Sequence, residues 1–175
     1  MSIPKVIVFD LDYTMWKPEM NQTEGAPFSY NDGKVFDKSG TEVMLFPEVA
    51  KILHRIRTSE EFRETKVVCA SRTEFTEWAF ECLDLIDVHN GLKMKEYFTY
   101  KEIYPGRKTA HFAKIQETTQ VAFEDMLFYD NEMHNIEDVG PLGVTCICCP
   151  QGLSESEFDE GLELFARNKL TGPSS

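Results

Sequence analysis

A chain of 175 residues with 42% hydrophobic and 27% charged side chains has the size and make-up of one soluble domain with a core of its own. The formal net charge of −12 argues against DNA or an anionic membrane surface as the main partner, because both demand a basic footprint. A phosphate-bearing ligand would have to be drawn in by positive charge concentrated locally. No stretch is long and apolar enough to span a bilayer, and Asp10 cuts the short apolar run near the N terminus, unlike a signal peptide. The five cysteines are Cys69, Cys82, Cys146, Cys148 and Cys149. Without a signal peptide they read as thiols of a reducing, cytoplasmic compartment. Cys146, Cys148 and Cys149 crowd one apolar segment without the two-residue spacer of a zinc knuckle, which favours core packing over a metal site.

The first element is Lys5-Val6-Ile7-Val8-Phe9, a β-branched and aromatic run that predicts a buried strand. It ends at Asp10-Leu11-Asp12-Tyr13-Thr14. Alternate residues of an extended segment face the same way, so Asp10 and Asp12 are expected in one small volume at the strand's carboxyl end. Open α/β sheets bind ligands at that edge. Two carboxylates there repel unless a cation sits between them, and Mg²⁺ with oxygen ligands suits the place. The bland alternative is a solvated turn, where aspartate is common.

Residues 15–46 predict a long excursion containing a β-hairpin and lying over the end of this strand. Asn31-Asp32-Gly33 and Lys38-Ser39-Gly40 mark turns, followed by Val35-Phe36 and Val43-Met44-Leu45-Phe46. Pro47 opens a helix with Val49, Ile52, Leu53 and Ile56 at a 3.6-residue period. Lys66-Val67-Val68-Cys69-Ala70 predicts a second buried strand, ending at Ser71-Arg72-Thr73. The next helix carries Phe75, Trp78, Ala79, Cys82, Leu83 and Ile86 on a core-facing stripe. A weaker strand is expected within 97–103, then a turn at Pro105-Gly106 and a helix from Lys108. Met126-Leu127-Phe128-Tyr129-Asp130 predicts another buried strand, and 131–139 a helix that stops at Gly140-Pro141. The last strand spans 144–149. An amphipathic helix follows Ser154 through Phe158, Leu162 and Phe165, and 171–175 form a frayed tail. Strands alternating with helices imply βαβ units: a single α/β domain over residues 1–170, with a parallel sheet flanked by helices. Neither a Gly-x-Gly-x-x-Gly nor a Gly-x-x-x-x-Gly-Lys-Ser/Thr nucleotide cradle is present.

Polar groups close four of these junctions: Asp10 and Asp12, Ser71 and Arg72, Lys108, then Asp130 and Asn131. If the strands are parallel, all converge on one edge. Carboxylates, a hydroxyl and a lysine in one place describe a phosphoryl-transfer site. Taken alone, each has a plainer reading. Ser71 could cap the helix it precedes, Arg72 could be a solvated helix residue, and Lys108 a surface charge.

Asp10-Leu11-Asp12-Tyr13-Thr14 resembles the Asp-x-Asp-x-Thr first motif of the haloacid dehalogenase superfamily. Phe9 through Trp16, Ala70-Ser71-Arg72-Thr73, Glu102 through Lys108, Tyr129-Asp130-Asn131-Glu132 with Asn135-Ile136, and Leu142-Gly143-Val144-Thr145 resemble its magnesium-dependent phosphatase branch. The resemblance implies a three-layer, Rossmann-like fold with a hairpin flap and no large cap domain. It implies Asp10 as nucleophile forming an aspartyl-phosphate, and Asp12 as general acid and then base. It implies substrate contacts from Leu11, Asp12, Ser71, Arg72 and Lys108. It implies Mg²⁺ held by Asp10, the Asp12 carbonyl and Asp130, with Asn131 in the metal site where the family usually has a second aspartate. That change removes one negative charge but keeps an oxygen ligand. The expected partner is a phosphorylated small molecule such as a sugar phosphate, or alternatively a phosphotyrosine side chain on a protein. A receiver-like phospho-aspartate switch fits less well, because Asp12 would hydrolyse the acyl phosphate. A non-catalytic module fits less well again, because every core catalytic position is filled. His54, His89, His111 and His134 are given no chemistry, and Tyr13 and Trp16 are expected to pack rather than stack on substrate. Oligomeric state is not legible.

Overall fold

The computed structural model describes residues 1–172, so all but the start of the expected frayed tail lies outside the described residues. The first strand, β1 (Val6–Phe9), is completely buried. Its alternation divides the core. Val6 and Val8 face one layer with Phe112, Ile115, Phe128 and Val139. Ile7 and Phe9 face the other with Ile52, Leu83, Phe158 and Leu162.

The excursion after β1 is richer than a hairpin. It forms a four-stranded antiparallel flap from β2 (Trp16–Lys17), β3 (Ser29–Asn31), β4 (Lys34–Phe36) and β5 (Glu42–Leu45), in the order β2-β5-β4-β3. Its β3–β4 turn falls at Asp32-Gly33, with φ of 52° and 81°. Two left-handed residues in succession match the twist of the paired strands. The flap is fixed at its far edge: the Phe28 N–H donates to Glu81 Oε1 at 2.9 Å, and the Tyr30 hydroxyl donates to Asp87.

Helix α1 (Val49–Thr58) starts two residues after Pro47 and buries Val49, Ile52, Leu53 and Ile56. Strand β6 (Lys66–Ser71) leads to α2 (Thr76–Leu85), of which Ala79, Cys82 and Leu83 are buried. A second hairpin, β7 (Asp87–His89) and β8 (Leu92–Lys93), turns at Asn90-Gly91 and was not anticipated. The weaker strand is β9 (Tyr100–Ile103), shorter than expected because 94–97 coil into a 3₁₀ turn. Then follow α3 (Lys108–Thr119), β10 (Met126–Asp130), α4 (Met133–Val139), β11 (Thr145–Cys148) and α5 (Glu155–Leu170). Ser154 caps α5, accepting from the Glu157 N–H while Glu157 answers its own N–H.

The central sheet runs β11-β10-β1-β6-β9, and every pairing in it is parallel. Helices α1, α2 and α5 contribute to the layer on the Ile7–Phe9 face, and α3 and α4 to the other. The chain leaves β1 for β6 on one side and returns to β10 on the other. The carboxyl end of β1 is therefore a topological switch point, where such sheets open a crevice. Among the described residues no helix is long and apolar enough to cross a membrane.

Candidate active site

Register builds the site. Phe9 pairs with Tyr129, so the next residues, Asp10 and Asp130, emerge side by side from β1 and β10. Lys108, the first residue of α3, reaches beneath them. Its Nζ donates to Asp10 Oδ1 at 2.9 Å, Asp130 Oδ2 at 2.9 Å and the Ala70 carbonyl at 2.8 Å. All three N–H bonds are thus used, and Lys108 is completely buried rather than a surface charge. Burial pushes its ammonium down, but Asp10 and Asp130 outweigh this and hold it above the usual lysine range.

Two buried carboxylates share this single ammonium. Burial, and then the charge of Asp130, raise the carboxyl of Asp10 well above the usual range, against the pull of Lys108 and Thr14. The Thr14 hydroxyl donates to Asp10 Oδ2 at 2.9 Å and accepts from the Asn131 N–H at 2.9 Å. The Asn131 amide nitrogen faces three oxygens: Asp10 Oδ2 at 3.0 Å, the Asp12 carbonyl at 3.2 Å and Thr14 Oγ1 at 3.2 Å.

Asp12 departs from the expectation of a carboxylate pair. Its side chain turns to the flap, accepting from Trp16 Nε1 at 2.7 Å and the Met20 N–H at 3.2 Å, and only its carbonyl faces the Asp10 side. The reason is local: the strand stops at Phe9, and Tyr13 adopts φ 62°, so period-2 geometry does not carry through to Asp12. Burial raises the Asp12 carboxyl, with the Trp16 and Met20 donors opposing it. Trp16 is fully buried, while Tyr13 is 37% exposed with its ring edge-on to Phe46.

These groups lie under or around an open cleft of about 460 Å³. Asp10, Asp12, Ser71, Arg72, Phe75 and His134 are among its walls. Lys108 and Asp130 form the layer beneath. The Leu11 side chain is fully buried, so only its main chain is available to a ligand. Ser71 does not cap α2. Its Oγ accepts from the Thr73 N–H at 3.2 Å, while the helix begins at Thr76 without a side-chain cap. This leaves the hydroxyl hydrogen of Ser71 available to a ligand. Behind it, His111 Nε2 lies 2.9 Å from both the Ser71 and Tyr104 carbonyls, tying the β6 and β9 ends to α3. Thr14, His111, His134 and Asn135 received no role from sequence reasoning; only the places of Thr14 and Asn135 within the motifs signalled them.

The donor set suits a hard cation. Asp10 Oδ2, the Asp12 carbonyl and Asp130 offer oxygen only, Asn131 can add its amide oxygen once the amide turns over, and the two buried carboxylates exceed the one ammonium by a charge. Among the described residues no group of three or more His, Cys, Asp or Glu side chains is arranged for a metal.

The sequence model of the acid phosphatase family matches residues 2–168. The chain belongs to that family. It is accordingly a phosphatase. Over 172 residues it is 40% identical to Magnesium-dependent phosphatase 1 of Homo sapiens, covering 98% of this chain and 92% of that protein. It is 36% identical over 151 residues to a haloacid dehalogenase-like hydrolase superfamily protein of Schizosaccharomyces pombe, covering 83% and 85%. Among solved structures, a haloacid dehalogenase family enzyme of Bacteroides thetaiotaomicron, in its magnesium complex, superposes with a TM-score of 0.64 at 14% identity. The match covers 91% of this chain and 99% of the other. The superfamily resemblance noted from the ordered motifs therefore holds for sequence and fold alike.

Proposed function

We propose that the protein hydrolyses phosphomonoesters of small metabolites, sugar phosphates among them, through an aspartyl-phosphate on Asp10 and with Mg²⁺ as cofactor. The observation that carries this reading is the Asp10 carboxylate. It stands at the floor of an open cleft, one oxygen held by Lys108 and the other by Thr14, beside Asp130. A nucleophile restrained at both oxygens loses little freedom when it attacks. Mg²⁺ is supported by the oxygen donor set and by the name of the human relative. Asp10, the Asp12 carbonyl, Asp130 and Asn131 would hold it, and when bound it would neutralise charge shared by the carboxylates and the phosphoryl oxygens.

Asp10 attacks phosphorus in line, the P–O bond to the leaving group breaks, and Asp12 gives that oxygen a proton. Burial raises Asp12 in the direction an acid needs. Asp12, now ionised, takes a proton from the water that opens the aspartyl-phosphate. The Ser71 hydroxyl supports the phosphoryl oxygens. Lys108 can join it only by exchanging one of its three present bonds, so its constant task is to keep Asp10 and Asp130 together. The polar walls, with Glu19, Asn21 and Glu74 beside the apolar ring of Phe75, favour hydroxyl-rich leaving groups.

The test is phosphate release from sugar phosphates and phosphotyrosine peptides, with Mg²⁺ or with chelator, for wild type and Asp10→Asn. Mg²⁺-dependent release that Asp10→Asn abolishes is expected, fastest on the small esters. Unimpaired Asp10→Asn would overturn the covalent route; a preference for the peptides would overturn the substrate class.

A further inference from the structure

Arg72 leaves the end of β6 and spans to the first turn of α4. Its Nη1 donates to His134 Nε2 at 2.9 Å and to Asn135 Oδ1 at 3.1 Å. A guanidinium stays protonated and offers no acceptor, so His134 must present the Nε2 lone pair. The hydrogen then sits on Nδ1, which faces Glu132 Oε2 at 3.1 Å. Asn135 is fixed in the same way. Its amide nitrogen donates to Asp130 Oδ2 at 3.1 Å, which turns its oxygen toward Arg72. Both acceptors therefore grip one nitrogen of the fork.

The opposite edge consists of Nε–H and the adjacent N–H of Nη2, two parallel donors that match two oxygens of a phosphate. Among the described residues, Arg72 Nε is the one buried side-chain nitrogen or oxygen without a hydrogen-bond partner. A buried donor left unpaired is unfavourable, so this edge awaits an acceptor. Arg72 lines the cleft with Asp10, Asp12 and Ser71.

Resting on the phosphatase reading, we infer that His134 and Asn135 are positioning residues that hold Arg72 so that its Nε–Nη2 edge receives oxygens of the substrate phosphate. Glu132 fixes the histidine tautomer that makes this possible.

The test compares His134→Phe, His134→Gln and Arg72→Met. Phenylalanine keeps the ring volume without the lone pair; glutamine returns an acceptor without the ring. The readouts are KM and kcat for p-nitrophenyl phosphate with Mg²⁺, and the dissociation constant of inorganic phosphate by calorimetry. Losing a hydrogen bond to a charged group should raise KM and weaken phosphate about tenfold in His134→Phe, with kcat changing less. His134→Gln should recover most of that loss. Arg72→Met should be at least as impaired, and adding His134→Phe to it should change little further. If Arg72→Met weakens phosphate while His134→Phe does not, the positioning role falls and the phosphatase reading stands. A glutamine variant no better than phenylalanine also overturns it. Unchanged phosphate binding in Arg72→Met removes Arg72 from the phosphate site and the inference with it. A wild type that binds phosphate without turning over the ester would bring down the phosphatase reading alone.

Discussion

Replacing Lys108 by methionine asks whether one ammonium is what lets two carboxylates share the cleft floor. Methionine keeps an unbranched apolar stem and removes the charge. Nζ lies 2.9 Å from an oxygen of each aspartate, and Lys108 and the Asp130 side chain are wholly buried. Without it, Asp10 and Asp130 either remain charged against each other or one takes up a proton. Burial and Asp130 already hold the Asp10 carboxyl well above the usual range with the ammonium in place, so the loss is scaled by the roughly 3–5 kcal/mol typical of breaking a buried pair. At about 2–4 °C per kcal/mol for a chain of this size, Tm should drop by about 6–20 °C in chelator. The pH dependence has a definite sign. A carboxyl whose folded pKa lies above its unfolded value carries no penalty below the unfolded value, and the penalty grows as pH rises toward the folded pKa. The deficit should therefore be smaller at about pH 5.5 than at about pH 8. Added Mg²⁺ should recover part of it at the higher pH. Thermal unfolding followed by circular dichroism, at both pH values with chelator or Mg²⁺, measures all of this. A deficit identical in all four conditions would refute the electrostatic account and point to lost packing.

Asn131→Asp should bind Mg²⁺ more tightly through its added charge, yet lower the Tm of the metal-free protein, because the new carboxylate would sit about 3.0 Å from Asp10 Oδ2. A Mg²⁺ titration of rate in which the wild type needs no more metal than the variant sinks that expectation. Asp12→Asn should slow the phosphorylation step about 10²- to 10⁴-fold for poor leaving groups and much less for p-nitrophenyl phosphate. Rapid-quench timing that finds equal losses across leaving groups would remove Asp12 as the acid. Gly161→Ala should lower Tm despite alanine's advantage of about 1 kcal/mol in a helix, because the new Cβ would meet the Tyr129 hydroxyl, which bonds the Phe158 carbonyl at 2.6 Å. A higher Tm would show that the helix yields there. Asp37 accepts from the Glu24, Ser39 and Thr41 N–H groups and the Ser39 hydroxyl. Burial pushes its carboxyl up, but these bonds prevail and hold it at about 2. Its contribution is present above the unfolded value near 4 and lost as pH falls through about 2. The flap should become protease-sensitive over that window, and Asp37→Asn, which lacks this titration, should show a flatter acid response.

What the sequence made legible follows from what each element depends on. Strands β1, β6 and β10 are buried on both faces, so continuous apolar runs announce them. Ser29-Tyr30-Asn31 is exposed throughout and becomes a strand only by pairing with Lys34–Phe36, which no periodicity records. The hairpin that turns at Asn90-Gly91 went unread, because the strands on either side are too short to show a pattern. In the site, the motif ends were readable because strand direction carries them to one edge. The orientation of Asp12 was not, since it depends on where β1 stops. Nor were His134 and Asn135, whose partner Arg72 lies 62 and 63 positions away.

The strand order has a consequence for how the chain comes together. The strand at the middle of the sheet is the first to be made, yet one of its two neighbours begins 120 positions later, Val6 pairing with Met126. Until that neighbour arrives, β1 presents an open, apolar edge with nothing to stop a foreign strand from joining it. Closing so long a loop makes the β1–β10 contact a late and slow event of folding. The order of synthesis eases one part of this. Lys108 precedes Asp130 along the chain, so the ammonium is already available when the second carboxylate docks.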